Sequence, residues 1–330
     1  MLWLGLVGCG WLGSGSGDLD EVTPDRERPE QERERGGKRG KGRRGGGPGG
    51  DRFADEMERV SLQVGGHERS AFVHVPDAVR GGQKVPMVVM FHGGHGDGTS
   101  AARLWLDQFD EPYILVFPNG QDWKPEWSGW APTDGDVAQH VKFVDALLDQ
   151  LVRDYPVDPK RIYAAGFSDG AQMTFRLACM LDQRFAGFAM VAQTMKDDTV
   201  AACAPKTEKP ILYITGTADP KNPADGRAAP EDDKVGRIGI EDTLRYWLDH
   251  NRCDAKKERD KDLPDLRGDA TRVRERLFDS CKGAPLKFLV VEGGGHSWPS
   301  DQQKGGDHCS DISATDEVLG WWREQAGFGG

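Results

Sequence analysis

At 330 residues, of which 37% are hydrophobic and 29% charged, the chain holds enough apolar material for a core only if that material is concentrated in particular segments. A formal net charge of −11 argues against nucleic acid as a partner and favours neutral or weakly polar ligands. No run beyond the N-terminal segment reaches the length of a membrane-spanning helix.

Residues 1–17 are apolar and glycine-rich, residues 18–35 are dominated by acidic, basic, proline and glutamine residues, and Arg35 to Arg44 contains six basic residues and no acidic one. Such a composition cannot bury enough surface to order a backbone, so residues 18–50 read as a disordered charged and glycine-rich linker. Leu6-Val7-Gly8-Cys9 resembles the bacterial lipobox, whose cysteine becomes lipid-modified after signal cleavage. The expectation is therefore a signal or lipoprotein-type N-terminus over residues 1–17, lipidation at Cys9, anchoring to a membrane through it, and a catalytic domain over residues 51–330.

Within residues 51–330 the apolar residues are concentrated. Arg69–Val75 alternates like a strand, Val85–Phe91 is a continuous apolar run ending at His92-Gly93-Gly94, and Tyr113–Phe117 is a shorter one ending at Pro118-Asn119-Gly120. Val137–Tyr155 places Val141, Val144, Leu147, Leu148 and Leu151 on one helical face, and Pro156-Val157-Asp158-Pro159 stops it. Strands follow at Arg161–Ala165, Ala186–Ala192, Ile211–Thr215 and Leu286–Val291, with helices at Ala171–Leu181, Ile240–His250 and Ala314–Gln325. Strands alternating with helices imply an α/β fold, a mostly parallel central sheet with helices on both faces.

Gly166-Phe167-Ser168-Asp169-Gly170 sits between an expected strand and an expected helix. A serine flanked by glycines on such a turn is a nucleophile elbow, because the glycines permit a sharp, strained bend that lifts the hydroxyl off the sheet edge. A serine needs a base, and the base needs a carboxylate to hold its tautomer. Asp219, in Thr217-Ala218-Asp219-Pro220 at a strand end, is the expected acid, with Asp225 as a weaker substitute. His296 follows three glycines directly after the last strand and is the expected base. The expected oxyanion donors are the backbone N–H of Asp169 and one from the His92-Gly93-Gly94 loop, Gly94 first and Gly93 next.

Besides Cys9 there are five cysteines, none in a C-x-x-C pair or at zinc-ligand spacing with histidines, so no metal site is expected. In an exported protein they would form disulfides: Cys179 with Cys203, and Cys253 with Cys281 across the charged segment 254–280, leaving Cys309 over. Trp123, Trp127 and Trp130 cluster after Tyr113–Phe117, and Trp298 follows the histidine. Trp123, Trp127 and Trp298 are candidates for stacking on a substrate ring, or equally for packing a lid.

The motifs His92-Gly93, Gly166-Phe167-Ser168-Asp169-Gly170, Thr217-Ala218-Asp219-Pro220 and Gly295-His296-Ser297-Trp298-Pro299 resemble those of the polyhydroxybutyrate depolymerase and feruloyl esterase group of secreted α/β-hydrolases. Tyr155–Tyr163 and Arg176-Leu177-Ala178-Cys179 extend the resemblance, which covers Ser70 to Gly327. It implies Ser168, Asp219 and His296 as the triad, no cofactor, and small or polymeric carboxylic esters as substrates (feruloyl or acetyl esters of polysaccharide, or hydroxyalkanoate esters). The corresponding expectation is a monomeric serine esterase, secreted or held at the cell envelope. A peptidase or acyltransferase on the same fold, or a catalytically silent ligand-binding lipoprotein, remain open alternatives. Two departures stand out: Asp169 where many relatives have asparagine, and Gln172 where methionine is frequent.

Overall fold

The computed structural model describes residues 53–79, 82–120, 130, 136–227, 235–301 and 308–325. Cys9, the segments 1–17 and 18–50, and Trp123 and Trp127 lie outside the described residues. All the described residues fall within one compact unit, Pro48–Gly330.

Ten strands form one sheet: β1 (Glu58–Val64), β2 (His67–His74), β3 (Val85–Phe91), β4 (Ile114–Pro118), β5 (Val157–Phe167), β6 (Gly187–Val191), β7 (Ile211–Gly216), β8 (Arg259–Asp262), β9 (Arg272–Phe278) and β10 (Leu286–Glu292). Their order is β1-β2-β4-β3-β5-β6-β7-β10-β9-β8. The six central strands, β4 to β10, run parallel, and antiparallel pairs close each side. The helices are α1 (Gly98–Ala102), α2 (Asp136–Asp154), α3 (Asp169–Met180), α4 (Asp197–Ala202), α5 (Ile240–His250) and α6 (Ala314–Gln325).

The parallel strands are apolar on both sides because helices cover both faces. Every residue of β3, β4, β6 and β7 is buried. Alternate residues feed two cores. On one face Met87, Val89, Ile162, Ala164 and Tyr213 pack against α2, α3 and α5; on the other Val88, Met90, Tyr163, Ala165 and Leu212 pack against α6.

The structure adds β1, α1 and α4 to the elements expected from sequence, and two others differ from the expectation. The strand before the elbow begins at Val157, not Arg161, because Val157 pairs with Val85 ahead of a register shift between Val85 and Met87. The charged segment 254–280 contains the antiparallel pair β8–β9 at the sheet edge. β8 is exposed throughout and shows no apolar alternation, but its partners are ionic: Asp260 with Arg274, and Lys261 with Glu275 at 2.9 Å. Charge also keeps such an edge from pairing with other chains. The flanking Cys253 and Cys281 are joined by a disulfide, as are Cys179 and Cys203, while Cys309 is free and buried.

Candidate active site

The elbow follows from backbone sterics. Ser168 sits between β5 and α3 with φ +54° and ψ −119°, a region costly for any residue with a Cβ. Its N–H donates to the Val191 carbonyl at 2.9 Å, and its own carbonyl accepts from Gln172 N–H at 3.0 Å, so the bend is pinned on both sides. Gly166 and Gly170 make the bend sterically feasible. A Cβ at Gly166 would strike the Gly170 carbonyl, and one at Gly170 would strike the Phe91 carbonyl of β3. The serine therefore stands at the carboxyl edge of the central strand.

Asp219 and His296 reach it because β7 and β10 are parallel neighbours whose carboxyl ends lie side by side. Their loops are stitched together: Thr217 N–H donates to Val291 O at 3.0 Å, Ala218 N–H to Gly294 O at 2.9 Å, and Gly293 N–H to Thr217 Oγ1 at 3.0 Å. Gly216 has no room for a Cβ against the Gly294 carbonyl. Ser168 Oγ lies 2.8 Å from His296 Nε2, and His296 Nδ1 lies 2.8 Å from Asp219 Oδ2. Asp225, the substitute acid, is exposed on the turn beyond.

The Asp219 side chain is fully buried and both carboxylate oxygens are engaged. Oδ1 accepts from the N–H groups of Lys221 at 2.8 Å and Asn222 at 3.1 Å, and Oδ2 accepts from Asn222 Nδ2 at 3.0 Å as well as from His296. Burial by itself would push this carboxyl up, but the hydrogen bonds from His296 and Asn222 outweigh it. The net result lies below the ordinary carboxylate value. Asp219 is thus held as an anion facing the imidazole.

The glycine loop after β3 borders the serine. Gly93 packs against Phe167 and Ser168, and Gly94 lies against the Asp169 carboxylate, which a Cβ at Gly94 would approach to 2.6 Å. His92 anchors the loop: its Nδ1–H donates to Gly93 O at 2.8 Å, and its Nε2 accepts from Gly120 N–H at 3.0 Å. Burial holds this imidazole below its usual value, which suits the neutral tautomer that both bonds require. As the first residue of α3, Asp169 has no helical partner for its N–H. Gln172 is buried, with Nε2 donating to Thr199 Oγ1.

Ser168, Asp169, Gln193, Lys221, Asn222 and Arg237 line a cleft of about 290 Å³. Trp298 does not face it as an exposed stacking platform. The ring is 3% exposed, packs edge-on to Phe167 at 6.4 Å and donates from Nε1 to Thr315 Oγ1 at 3.2 Å, so it backs the histidine loop from inside the core. Trp130 is likewise buried, against Phe91 and His92. Gln193, Asn222 and Arg237, none of them singled out from sequence, surround Ser168, His296 and Asp219. Only the spacing of Asn222 three residues after Asp219 was a usable signal. Among the described residues no group of three or more His, Cys, Asp or Glu side chains is arranged to hold a metal ion, and no helix is long and apolar enough to cross a membrane.

A parallel sheet with a strained serine at its central carboxyl edge, and aspartate and histidine after the ends of β7 and β10 on the same edge, is the α/β-hydrolase arrangement. Comparison with known proteins agrees. No protein-family model matches the chain. The "Putative esterase NocK" of Nocardia uniformis subsp. tsuyamanensis is 32% identical over 218 residues, which are 63% of this chain and 60% of that protein. Feruloyl esterase B of Piromyces equi is 25% identical over 259 residues, 74% of this chain and 45% of that protein. Poly(3-hydroxyalkanoate) depolymerase C of Paucimonas lemoignei is 23% identical over 264 residues, 74% of this chain and 62% of that protein. The chain thus spans less than two thirds of each of these relatives. The latter two names are those of the group that the motifs resemble. Among solved structures, an acetyl xylan esterase from Aspergillus awamori matches with TM-score 0.56 at 11% identity, covering 81% of this chain and 99% of that one. An S-formylglutathione hydrolase from Agrobacterium tumefaciens matches with TM-score 0.50 at 14% identity, covering 82% and 95%. At these identities the likeness is one of fold.

Proposed function

We propose that this chain is an exported serine esterase that hydrolyses carboxylic esters through an acyl-enzyme on Ser168. The observation that carries the reading is the continuous chain from Ser168 Oγ through His296 to Asp219, with both links at 2.8 Å. Ser168 Oγ attacks the ester carbonyl carbon as His296 Nε2 takes its proton. The oxyanion is met by the N–H of Asp169 and by a donor from the Gly93-Gly94 loop. Collapse breaks the ester C–O bond, and His296 returns the proton to the leaving alcohol. Water then attacks the acyl-enzyme, giving up its proton to His296. The carboxylic acid departs as that proton returns to Ser168. Asp219 holds the imidazole tautomer and stabilises the imidazolium that forms at each step.

The names of the relatives, feruloyl esterase and poly(3-hydroxyalkanoate) depolymerase, support aromatic or short hydroxyacyl esters as the substrate class. Disulfide bonds persist in oxidising compartments, so the two bridges support export; Cys9 is the proposed anchor. The test is turnover of p-nitrophenyl acetate and butyrate, followed by methyl ferulate, acetylated xylan and hydroxybutyrate oligomers. Ser168→Ala should lower kcat by roughly 10⁴-fold or more. A substituted enzyme that turns over like the parent would overturn the reading.

A further inference from the structure

Arg237 stands just before α5, and its backbone is held from two directions. It exchanges N–H···O bonds with Arg227 at 2.8 and 2.9 Å, while Ile238 N–H donates to Met195 O at 3.1 Å and Asp197 N–H to Gly236 O at 3.0 Å. Its position is therefore set jointly by the segment after β6 and the segment after Asp219. The guanidinium reaches two side-chain amides through one nitrogen. Nη1 donates to Gln193 Oε1 at 2.7 Å and to Asn222 Oδ1.

Each of those amides touches one arm of the triad. Asn222, 1% exposed, donates from Nδ2 to Asp219 Oδ2 and to Ala192 O, both at 3.0 Å, and the same nitrogen lies 3.3 Å from His296 Nδ1. Gln193, 2% exposed, accepts from Thr194 N–H at 3.1 Å and donates from Nε2 to the Ser168 carbonyl at 3.4 Å. A side-chain amide has two orientations that fill space almost equally, and only its partners choose between them. Reversing Asn222 would turn its oxygen onto the Asp219 carboxylate and the Ala192 carbonyl, placing acceptors against one another. The cationic donor on Oδ1 opposes that reversal, and the same nitrogen fixes the Gln193 amide beside the nucleophile. Hydrogen bonds to charged groups are the stronger ones, and here both acceptors are buried away from competing water.

We propose that Arg237 is a positioning residue for the Ser168 reaction, orienting Asp219 through Asn222 and the nucleophile's peptide through Gln193. The inference rests on Ser168 being the nucleophile. Its test uses the full chain and p-nitrophenyl acetate, with Ser168→Ala as reference. Arg237→Ala should lower kcat by ~10- to 100-fold, the loss of charge-assisted bonds, while KM stays within about 2-fold. Asn222→Ala should lose a similar amount. The double variant should lie within about 3-fold of Asn222→Ala, since residues acting in series do not add. If Arg237→Ala does not fold, Arg237→Lys carries the same reading. Its ammonium keeps the charge but reaches less far from the backbone than Nη1 and fixes no planar donor geometry, so kcat should fall at least ~5-fold at unchanged KM. An unchanged kcat, a rise confined to KM, or full additivity with Asn222→Ala would each overturn the proposal. Equal turnover by the parent and Ser168→Ala would instead mean that the nucleophile assignment had failed, and the proposal with it.

Discussion

Asp169 is the residue at which local charge and proposed chemistry pull against each other. Its N–H is an expected oxyanion donor, yet its carboxylate lies against Gly94 at the same place. A fixed negative charge there opposes the developing oxyanion, although the buried Arg176 guanidinium offsets part of it. Asp169→Asn keeps the donor and removes the charge, so kcat for p-nitrophenyl acetate should rise about 3- to 10-fold, less at high salt. Steady-state kinetics at two ionic strengths checks this, and a fall in kcat would mean that the carboxylate assists the reaction. Asp219 behaves in the opposite sense. Its carboxyl lies below the ordinary range in the folded chain, so its ionised form contributes stability above about pH 4, and that contribution disappears as pH falls through the depressed native value. Asp219→Asn should therefore be less stable than the parent at neutral pH, the gap in melting temperature narrowing below about pH 4 and closing only as pH falls through the depressed native value. Its kcat should drop by roughly 10³- to 10⁴-fold.

At the level of elements, the β5–α3 bend is the most constrained junction. Gly170 lets α3 approach β3 so closely that a single methyl group would meet the carbonyls of Phe91 and His92. Gly170→Ala should cost about 3 kcal/mol or more, lowering the melting temperature by roughly 6–12 °C, and should displace Ser168 enough to depress kcat by ~100-fold. A calorimetric scan and an ester assay on the same preparation give both numbers. The glycines, the serine and the flanking apolar runs made this junction readable from sequence, because each residue type is demanded by local geometry. β8 and β9 were not readable. Arg259–Asp262 has no apolar face, and what holds it is backbone pairing and charge pairing with the next strand, β9, neither of which leaves a hydrophobic period.

For the whole molecule, the two disulfides close loops of 24 and 28 residues, one beside α3 and one at the base of the β8–β9 pair. Loops of that length constrain the unfolded chain by about 3 kcal/mol each. Reduction should thus lower the melting temperature by roughly 10 °C or more, and mass mapping of a non-reduced digest should find Cys179 with Cys203, Cys253 with Cys281, and a free thiol at Cys309. The arrangement of Ser168, His296 and Asp219 should survive at low temperature, since neither bridge includes any of the three.

The sequence by itself determined the α/β class and the chain order of the central strands and helices, and it singled out three candidate catalytic residues by their neighbours: Ser168 between glycines, Asp219 at a strand end, and His296 after three glycines. These were legible because hydrophobic period and turn chemistry are local properties. The tertiary structure decided the rest. Parallel pairing of β7 with β10 is what sets Asp219 and His296 on one edge, and folding buries Trp298 where its sequence position suggested a platform. Arg237 joins the site only because segments after β6 and β7 meet there. A contact between residues far apart in sequence leaves no periodic trace along the chain, so the supporting amides and their guanidinium emerge only once the sheet is assembled.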